Sequence, residues 1–228
     1  MKQIAVIGLG NFGSNVVKEL IEQGAQVIAI DSSKERVDAL KDIATYAAAL
    51  NSTDEDALRS VAIHQVDAAV VCIGDDIEGN LLTTILLKRM GVKNVWSRAI
   101  SPLQQEILKA LEVTSVINLE QEMGCMVARS LMIENVVKHI HLSAGYSVAE
   151  IKMPTALVGK TLRKAKLRVD FKLNVVAIKR KIPQINREGE RTFEEHTENV
   201  PSPDTELGEE DILVIVGSDR DIAAFSKS

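Results

Sequence analysis

Three glycines near the start of the chain, Gly8, Gly10 and Gly13, have the GxGxxG spacing of a phosphate-binding turn. In such a turn the first glycine permits the sharp bend, the second lets the backbone approach a pyrophosphate, and the third lets the next helix pack closely on the strand. The free N–H groups at the start of that helix then favour an anion. Asp31, about 20 positions further on, can accept hydrogen bonds from ribose hydroxyls. The pattern predicts a site for an adenine nucleotide or dinucleotide.

The turn lies between segments that would hold it in place. The apolar run Ile4–Ile7 predicts a strand, the amphipathic run to Gln23 predicts a helix, and Val27–Ile30 predicts a second strand that ends at Asp31. Further strands are predicted at 45–50, 67–73, 94–98 and 115–118. Further helices are predicted at 35–42, at 77–90 and at 101–111, and another helix is predicted to begin after a cap at Thr53. Regular alternation of strand and helix predicts an α/β fold, a Rossmann-like doubly wound parallel sheet.

Polar residues recur where these strands end, which is the edge at which doubly wound sheets hold their ligands. With the glycine turn they form one candidate set of nucleotide-binding residues: Gly8, Gly10, Asn11, Phe12, Gly13, Asp31, Ser32, Asn51, Ser52, Thr53, Ile73, Gly74, Asp75, Arg98 and Glu120.

Some members of this set have an alternative interpretation. Residues 51–53 either contact an adenine or cap the helix that follows them. Asp75 and the neighbouring Asp76 would also stabilise the start of a helix through its dipole. Arg98 ends an apolar strand at the binding edge, where a charge needs an anionic partner. Glu120 would complement Arg98 or ligate a hard cation, Mg²⁺ or Ca²⁺, that bridges the nucleotide phosphates.

The pattern changes after about residue 120. A helix is predicted from Gln121 to Lys138, and its apolar positions are spread too widely for one core-facing stripe, which favours neighbours on more than one side. Those positions include Met123, Val127, Leu131, Ile133 and Val137. Shorter strands are predicted beyond it, at 140–143, 147–153, 174–179, 191–197 and 212–216, with a short helix at 162–166. We therefore place a domain boundary near Lys138, which gives a nucleotide-binding domain at 1–138 and a small α+β domain at 139–228.

The composition limits the function classes. The 228 residues are 46% hydrophobic but only 3% aromatic, so the core must be aliphatic, and the net charge of −5 argues against nucleic-acid binding. Cys72 and Cys125 lack metal-site spacing, so we expect reduced thiols and no disulfide. The N-terminus has no signal-peptide pattern and no apolar run reaches the ~18 residues of a membrane span. These features predict a cytoplasmic protein with any membrane role exercised through a partner.

Signals for catalysis are weak. The four histidines, His64, His139, His141 and His196, form no metal-binding motif, and the alternating pair His139 and His141 is typical of a polar strand edge. The chain contains no nucleophile elbow, and no Walker lysine follows the glycine turn. We therefore interpret the chain as a nucleotide sensor rather than an enzyme. An NAD-dependent oxidoreductase is the alternative, and it would need a proton donor beside the nicotinamide.

Several segments resemble the RCK family, the regulators of potassium conductance built from TrkA-N and TrkA-C domains, and especially the cytoplasmic subunits of Ktr-type potassium transporters. The N-terminal segments are IAVIGLGNFGSNVVKEL, VIAIDSS, LNSTDEDAL, AAVVCIGDDIEGNLLTTILLKRMG and VINLEQEMG. The C-terminal segments are EIKMP, LVGKTLRKAKLR, NVVAIKR and GEEDILVIVGSDRDIAAF. The resemblance covers nearly the whole chain.

This resemblance implies a homodimer that assembles into a gating ring, usually an octamer, at the inner face of the membrane. The ring would bind ATP, ADP or NAD(H) and pass the nucleotide state to an integral-membrane potassium transporter subunit; a cation/proton antiporter is the alternative partner. By position, Gly8, Gly10 and Gly13 match the phosphate turn and Asp31 the ribose acid. Arg98 matches a basic residue near the phosphates, and Glu120 an acid associated with a γ-phosphate or a divalent cation.

Two positions depart from the pattern of Ktr-like relatives. Asn11 stands where an arginine commonly reaches a neighbouring subunit's nucleotide, and Leu119 replaces the proline that usually precedes the acid. The loss of the arginine predicts weaker discrimination of ATP from ADP. In some relatives the C-terminal domain binds cyclic di-AMP, and Arg168, Asn174 and Val175 lie in the corresponding segment.

Overall fold

The computed structural model describes residues 1–132, 135–143, 145–185 and 191–227. The chain divides into two compact units, Met1–Glu122 and Met123–Ser228. The division falls inside a helix, whereas the sequence placed the domain boundary near Lys138.

The first unit, described throughout, is built on a six-stranded parallel sheet in the order β3-β2-β1-β4-β5-β6. This is the strand order of a dinucleotide-binding Rossmann fold and confirms the predicted fold class. The strands are β1 (Gln3–Ile7), β2 (Gln26–Asp31), β3 (Tyr46–Ala49), β4 (Ala68–Val71), β5 (Asn94–Arg98) and β6 (Ser115–Ile117).

Helices alternate with these strands at the predicted places: α1 (Asn11–Glu22), α2 (Lys34–Asp38), α3 (Glu55–Ser60), α4 (Ile77–Arg89) and α5 (Pro102–Ala110). Ser101 caps α5 by accepting a hydrogen bond from the backbone N–H of Gln104, with proline in the first turn as predicted. The predicted Thr53 cap of α3 is wrong. The cap is Asp54, the residue directly before the helix. Its carboxylate accepts hydrogen bonds from two backbone N–H groups of the first turn.

The core of the first unit is aliphatic and lies on both faces of the sheet. Ala5 and Ile7 of β1 belong to one buried cluster, whereas Val6 belongs to another. Alternate residues of a strand point to opposite faces, so β1 is covered on both sides. Such burial explains why the strand segments read as continuous apolar runs.

Helix α6 spans Leu119–Met132, and the strand β7 (Val136–Ser143) begins soon after it. The predicted helix to Lys138 is therefore too long, and Val137 and Lys138 belong to a strand. β7 pairs antiparallel with the next strand, Tyr146–Lys152, and this pairing together with the adjacent β-branched Val136 and Val137 outweighs the helical pattern. Ile133 lies outside the described residues.

The described part of the second unit contains an antiparallel sheet in the order β10-β9-β11-β8-β7. The remaining strands are β8 (Tyr146–Lys152), β9 (Asn174–Ile185), β10 (Arg191–Asn199) and β11 (Ile212–Ser218). The short helices are α7 (Leu162–Ala165), α8 (Leu167–Asp170) and α9 (Asp219–Phe225). The fully buried Phe225 meets Phe171 edge to face, with ring centroids 5.0 Å apart, so α9, which the sequence did not predict, closes the core.

His139 and His141 lie on β7, an edge strand in the described sheet, but they differ in exposure. His139 is buried and its Nε2 lies 3.8 Å from Asp219 Oδ1, while the half-exposed His141 has Nδ1 3.8 Å from Asp219 Oδ2. The expected polar edge is therefore only partly exposed, because the start of α9 lies against it. Among the described residues, no group of three or more His, Cys, Asp or Glu side chains is arranged to hold a metal ion.

Candidate nucleotide site

A cleft of about 850 Å³ opens at the carboxyl ends of β1 and β4, where the strand order reverses. This switch point is where open α/β sheets bind ligands. All the predicted binding residues except Gly13 line the cleft: Gly8, Gly10, Asn11, Phe12, Asp31, Ser32, Asn51, Ser52, Thr53, Ile73, Gly74, Asp75, Arg98 and Glu120. The structure thus brings them to one place, and their contact with a nucleotide stays a prediction.

The three glycines have different structural roles. Gly8 has φ +92°, and a Cβ there would also lie 2.9 Å from the backbone nitrogen of Ile73. A Cβ on Gly13 would lie 1.9 Å from the carbonyl oxygen of Gly8, so Gly13 permits close packing of α1 and does not face the cleft. Gly10 has φ −65°, and a Cβ there would meet no atom within 4 Å. The fold itself therefore requires Gly8 and Gly13, whereas Gly10 leaves open space on the side that lines the cleft.

Asp31 ends β2 with its side chain almost fully buried. Its Oδ2 accepts a hydrogen bond from Leu9 N at 2.6 Å, and its Oδ1 accepts one from Ser33 N at 2.8 Å. Arg36 Nη1 lies 3.5 Å from Oδ2. The carboxylate therefore ties the glycine turn to the end of β2, in addition to facing the cleft.

Arg98 and Glu120 meet at another part of the cleft. Arg98 Nη2 donates to Glu120 Oε1, which joins the end of β5 to the first turn of α6. A hydrogen bond from its own backbone N–H, and then the bond from Arg98, lower the pKa of the Glu120 carboxyl below its ordinary value. The buried Nε of Arg98 has no hydrogen-bond partner among the described residues. The Arg98 side chain is 19% exposed in the cleft, and its guanidinium has further N–H donors besides the one paired with Glu120.

Residues 51–53 have contacts of their own. Asn51 Oδ1 accepts hydrogen bonds from the backbone N–H and the hydroxyl of Thr53, at 3.0 and 2.8 Å. Ser52 is buried, with its Oγ 2.8 Å from Thr83 Oγ1. These contacts fix the loop after β3 without capping α3.

The two aspartates after β4 also differ. Asp76 accepts a hydrogen bond from Gly79 N at 2.9 Å and caps α4. Its helix-stabilising interpretation is therefore confirmed, while Asp75 lines the cleft without a comparable contact among those described.

Seven further residues line the cleft that were not in the predicted set: Ile7, Arg36, Cys72, Asp76, Gly79, Ile100 and Leu119. For Arg36 the available signal was a basic residue shortly after the ribose acid. Burial raises the pKa of the Cys72 thiol to about 12, although the positive charge of Arg98 opposes this shift. Cys72 is therefore an uncharged, inert part of the wall at neutral pH.

Comparison with known proteins identifies the family. The TrkA-N domain model matches residues 4–119 and the TrkA-C domain model matches residues 147–228. The chain belongs to the TrkA family. This TrkA-family chain is 34% identical over 224 residues to Ktr system potassium uptake protein A of Bacillus subtilis (strain 168), covering 98% of the chain and 95% of that protein. The Vibrio alginolyticus protein of the same name is 31% identical, with 100% and 97% covered.

The GsuK channel bound to NAD, a solved structure, superposes on the TrkA-family chain with a TM-score of 0.64 at 15% identity. The match covers 98% of this chain and 38% of the channel chain, so the chain spans less than half of that protein. The similarity extends the fold assignment to both units. The resemblance read from the sequence motifs is confirmed, and the homologues are potassium uptake proteins of Ktr systems. Among the described residues, no helix is long and apolar enough to cross a bilayer.

Proposed function

We propose that this chain is the nucleotide-sensing regulatory subunit of a Ktr-type potassium uptake system and binds ATP, ADP or NAD(H) in the cleft of its first unit. One observation carries the proposal. In a TrkA-family chain, a glycine turn, a buried carboxylate and an arginine converge on one cleft at the switch point of a parallel sheet. This arrangement offers separate partners to the ribose and to the phosphates.

The chemistry of the three groups matches the parts of a nucleotide. Ribose hydroxyls would donate to Asp31, since each carboxylate oxygen can accept more than the one backbone hydrogen bond it already has. Phosphates would lie beside Gly10 at the start of α1, where backbone N–H groups have no partner within the helix. Arg98 would add charge-assisted hydrogen bonds to a phosphate. The GsuK channel, which shares the fold, has been solved with NAD.

The Glu120 carboxylate fits a hard cation. Like any glutamate it is ionised at neutral pH, its lowered pKa keeps it ionised at lower pH, and its side chain is 56% exposed in the cleft. Oxygen donors of this kind suit Mg²⁺ or Ca²⁺, which complete their coordination with phosphate oxygens and water. When bound, such an ion would neutralise part of the phosphate charge. Glu120 would then exchange its contact with Arg98 for one with the ion.

Asn11 bears on how well the protein distinguishes ATP from ADP. It is the first residue of α1 and lines the cleft with a short uncharged side chain. It therefore brings no charge to a phosphate of its own or a neighbouring subunit. We expect weaker discrimination of ATP from ADP than in relatives with arginine at this position.

The proposed assembly is a homodimer that builds an octameric ring on the cytoplasmic side of an integral-membrane potassium transporter subunit of Ktr or Trk type. Helix α6 supports an assembly, because it exposes Met123, Val127 and Leu131 by 44%, 49% and 81%. These positions form one apolar stripe at helical spacing. Exposed apolar stripes of this kind mark interaction surfaces, and a second copy of the chain is the partner that symmetry favours.

The proposed output is regulation rather than catalysis. Among the described residues that line the cleft there is no His, Lys or Tyr to serve as a proton donor to a carbonyl substrate, and the thiol of Cys72 stays protonated. A regulatory ligand need only bind two states of the assembly with different affinity. The cleft includes Leu119 and Glu120 at the start of α6, and the chain of α6 continues into the second unit, so α6 is the element through which a bound nucleotide would act.

A second ligand is proposed for the second unit. A cleft of about 420 Å³ there is lined by Arg163, Lys166 and Arg168 together with Asn174 and Val175. This basic lining favours an anionic ligand. Cyclic di-AMP is the proposed occupant.

The test of the first site is calorimetry of the full chain with ATP, ADP and NADH, preceded by mass spectrometry of any nucleotide that copurifies. Asp31→Ala should weaken binding by about 1 to 3 kcal/mol, because ribose hydroxyls lose their acceptor. Asp38→Ala is the matched control, since Asp38 is exposed on α2 and outside the cleft. Unchanged affinity for all three nucleotides in folded Asp31→Ala protein would rule out the assigned site.

A further inference from the structure

A fully buried amide lies behind the cleft, where β4 and β5 end. Asn80 of α4 is 0% exposed, and its Nδ2 donates to the carbonyl oxygen of Ile73 at 2.9 Å and to that of Arg98 at 3.1 Å. Ile73 follows β4, and Arg98 is the last residue of β5. One side chain therefore joins the two strand ends that carry this part of the cleft wall.

Gln104 of α5 reinforces the junction. Its Nε2 donates to Asn80 Oδ1 at 3.1 Å and to the Arg98 carbonyl oxygen at 3.2 Å, while its Oε1 accepts from Ile100 N at 2.9 Å. Ser97 Oγ also donates to Asn80 Oδ1, at 3.1 Å. Gln104 and Ser97 are 2% and 0% exposed. A buried polar network whose members are all paired is rigid and specifies one geometry.

The network acts on the backbone of Arg98, while the side chain of Arg98 faces the cleft. The guanidinium lies against Gly74, where a Cβ would come within 2.5 Å of Nη1. Its Nη2 donates to Glu120, and its buried Nε has no partner among the described residues. The Arg98 side chain is 19% exposed and lines the cleft, and a guanidinium has five N–H donors, so it can donate to an additional anionic oxygen while it is paired with Glu120.

We infer that Asn80 and Gln104 are positioning residues for the phosphate end of the bound nucleotide. Both side-chain amides donate to the Arg98 carbonyl oxygen. These hydrogen bonds fix the backbone position from which the guanidinium extends toward a phosphate oxygen. The inference rests on the proposed function and adds that residues with no place in the cleft wall decide the phosphate-dependent part of the affinity. Because they act through Arg98, they leave the binding of the nucleoside part unchanged.

The test is calorimetry of the full chain with adenosine, ADP and ATP. Asn80→Ala should reduce the affinity for ADP and ATP by roughly 10- to 100-fold, the range for losing hydrogen bonds to a charged group, and leave adenosine binding unchanged. In an Arg98→Ala background the same substitution should have no further effect on any of the three ligands. Independent action would instead give multiplicative losses.

Gln104→Met keeps the side-chain volume nearly constant and removes the amide hydrogen bonds, so it serves as the test if Asn80→Ala does not fold. Equal losses for adenosine and ATP would show a merely structural role and overturn the inference, as would multiplicative losses in the double variant. If the wild-type chain bound adenosine and ATP equally, Arg98 would not read phosphate and this inference alone would fail. If it bound none of the ligands, the proposed function would fail first.

Discussion

Substitution of Gly10 and Gly13 by alanine should have opposite consequences, although both belong to the same motif. At Gly13 the added Cβ would lie 1.9 Å from the Gly8 carbonyl oxygen, in a range below 3.0 Å that real Cβ atoms essentially never show. At Gly10 the added Cβ would meet nothing within 4 Å, and the backbone has φ −65°, which alanine adopts freely.

The magnitudes follow from these contacts. Gly13→Ala must push α1 away from the glycine turn by more than 1 Å, so we expect destabilisation of about 3 kcal/mol, the upper end of ordinary overpacking. For a chain of this size that corresponds to a fall in melting temperature of roughly 6 to 12 °C. At Gly10, alanine caps the helix less well than glycine, which lowers the free energy of unfolding by up to about 1 kcal/mol. Alanine also reduces the conformational entropy of the unfolded chain, which raises the free energy of unfolding by up to about 1 kcal/mol. The stability of Gly10→Ala should therefore stay near that of the wild type.

Binding should show the reverse order. In the proposed site a Cβ at position 10 would enter the space that a phosphate needs, so Gly10→Ala should weaken the binding of ATP, ADP and NADH at least about tenfold, or 1.4 kcal/mol, and the larger Gly10→Val should abolish it. Thermal melting and calorimetry on the same preparations separate the two effects. Wild-type affinity in Gly10→Val would refute the backbone approach, and wild-type stability in Gly13→Ala would refute the packing argument.

Three further outcomes are expected. Light scattering should report an assembly at micromolar concentration, and Leu131→Glu, which puts a charge on the exposed stripe of α6, should shift it toward smaller species; a monomeric wild-type chain would contradict this. In NMR titrations the Glu120 carboxylate should have a pKa below the ordinary 4.5. Its ion pair with Arg98 should therefore persist to lower pH than that of an ordinary glutamate, and it should be lost as the pH falls through the lowered pKa. Arg98→Ala should move the pKa upward, and an unchanged pKa would exclude the pairing. Potassium flux through the reconstituted transporter should differ between ATP, ADP and NADH, and Arg98→Ala and Glu120→Gln should reduce the difference; flux indifferent to nucleotide in the wild-type complex would show that the switching mechanism is wrong.

The first unit could be predicted closely because its strands are buried on both faces. A strand of that kind reads as an uninterrupted apolar run, as in residues 67–73, and the glycine turn marks which strand comes first. Once the strand ends are known, the sheet topology brings the polar residues that follow them to one edge. The positions of Asp31, Arg98 and Glu120 around one cleft follow from that rule.

The second unit was less predictable for physical reasons. Helix α6 exposes apolar residues, so the apolar pattern in the sequence continues past the end of the helix at Met132. Only the β-branched Val136 and Val137 indicated the strand that follows. Residues 180–185 of β9 pair with β10 alone, without the flanking strand β11 that its earlier residues have. A segment with one neighbour buries little surface and shows weak periodicity. α9 was missed although Ser218 caps it and Asp219 lies in its first turn.

The buried network behind the cleft had no sequence signal. Asn80 and Gln104 each stand alone on helices whose exposed faces also carry polar residues. A single sequence does not show whether the side-chain amide of an asparagine or glutamine is buried or exposed. Their partners are mostly backbone carbonyls and N–H groups on other elements, which only the folded chain brings within reach.

The two bonds that Asp31 accepts have a consequence for how a nucleotide would transmit a signal. Leu9 N and Ser33 N are held by this carboxylate, so both amide protons should exchange slowly with solvent. Because these bonds tie the glycine turn to the end of β2, this end of the proposed site would serve as a rigid anchor for a ribose. We therefore expect nucleotide-dependent movement at the other end, where Glu120 and a phosphate would be alternative partners of the Arg98 guanidinium.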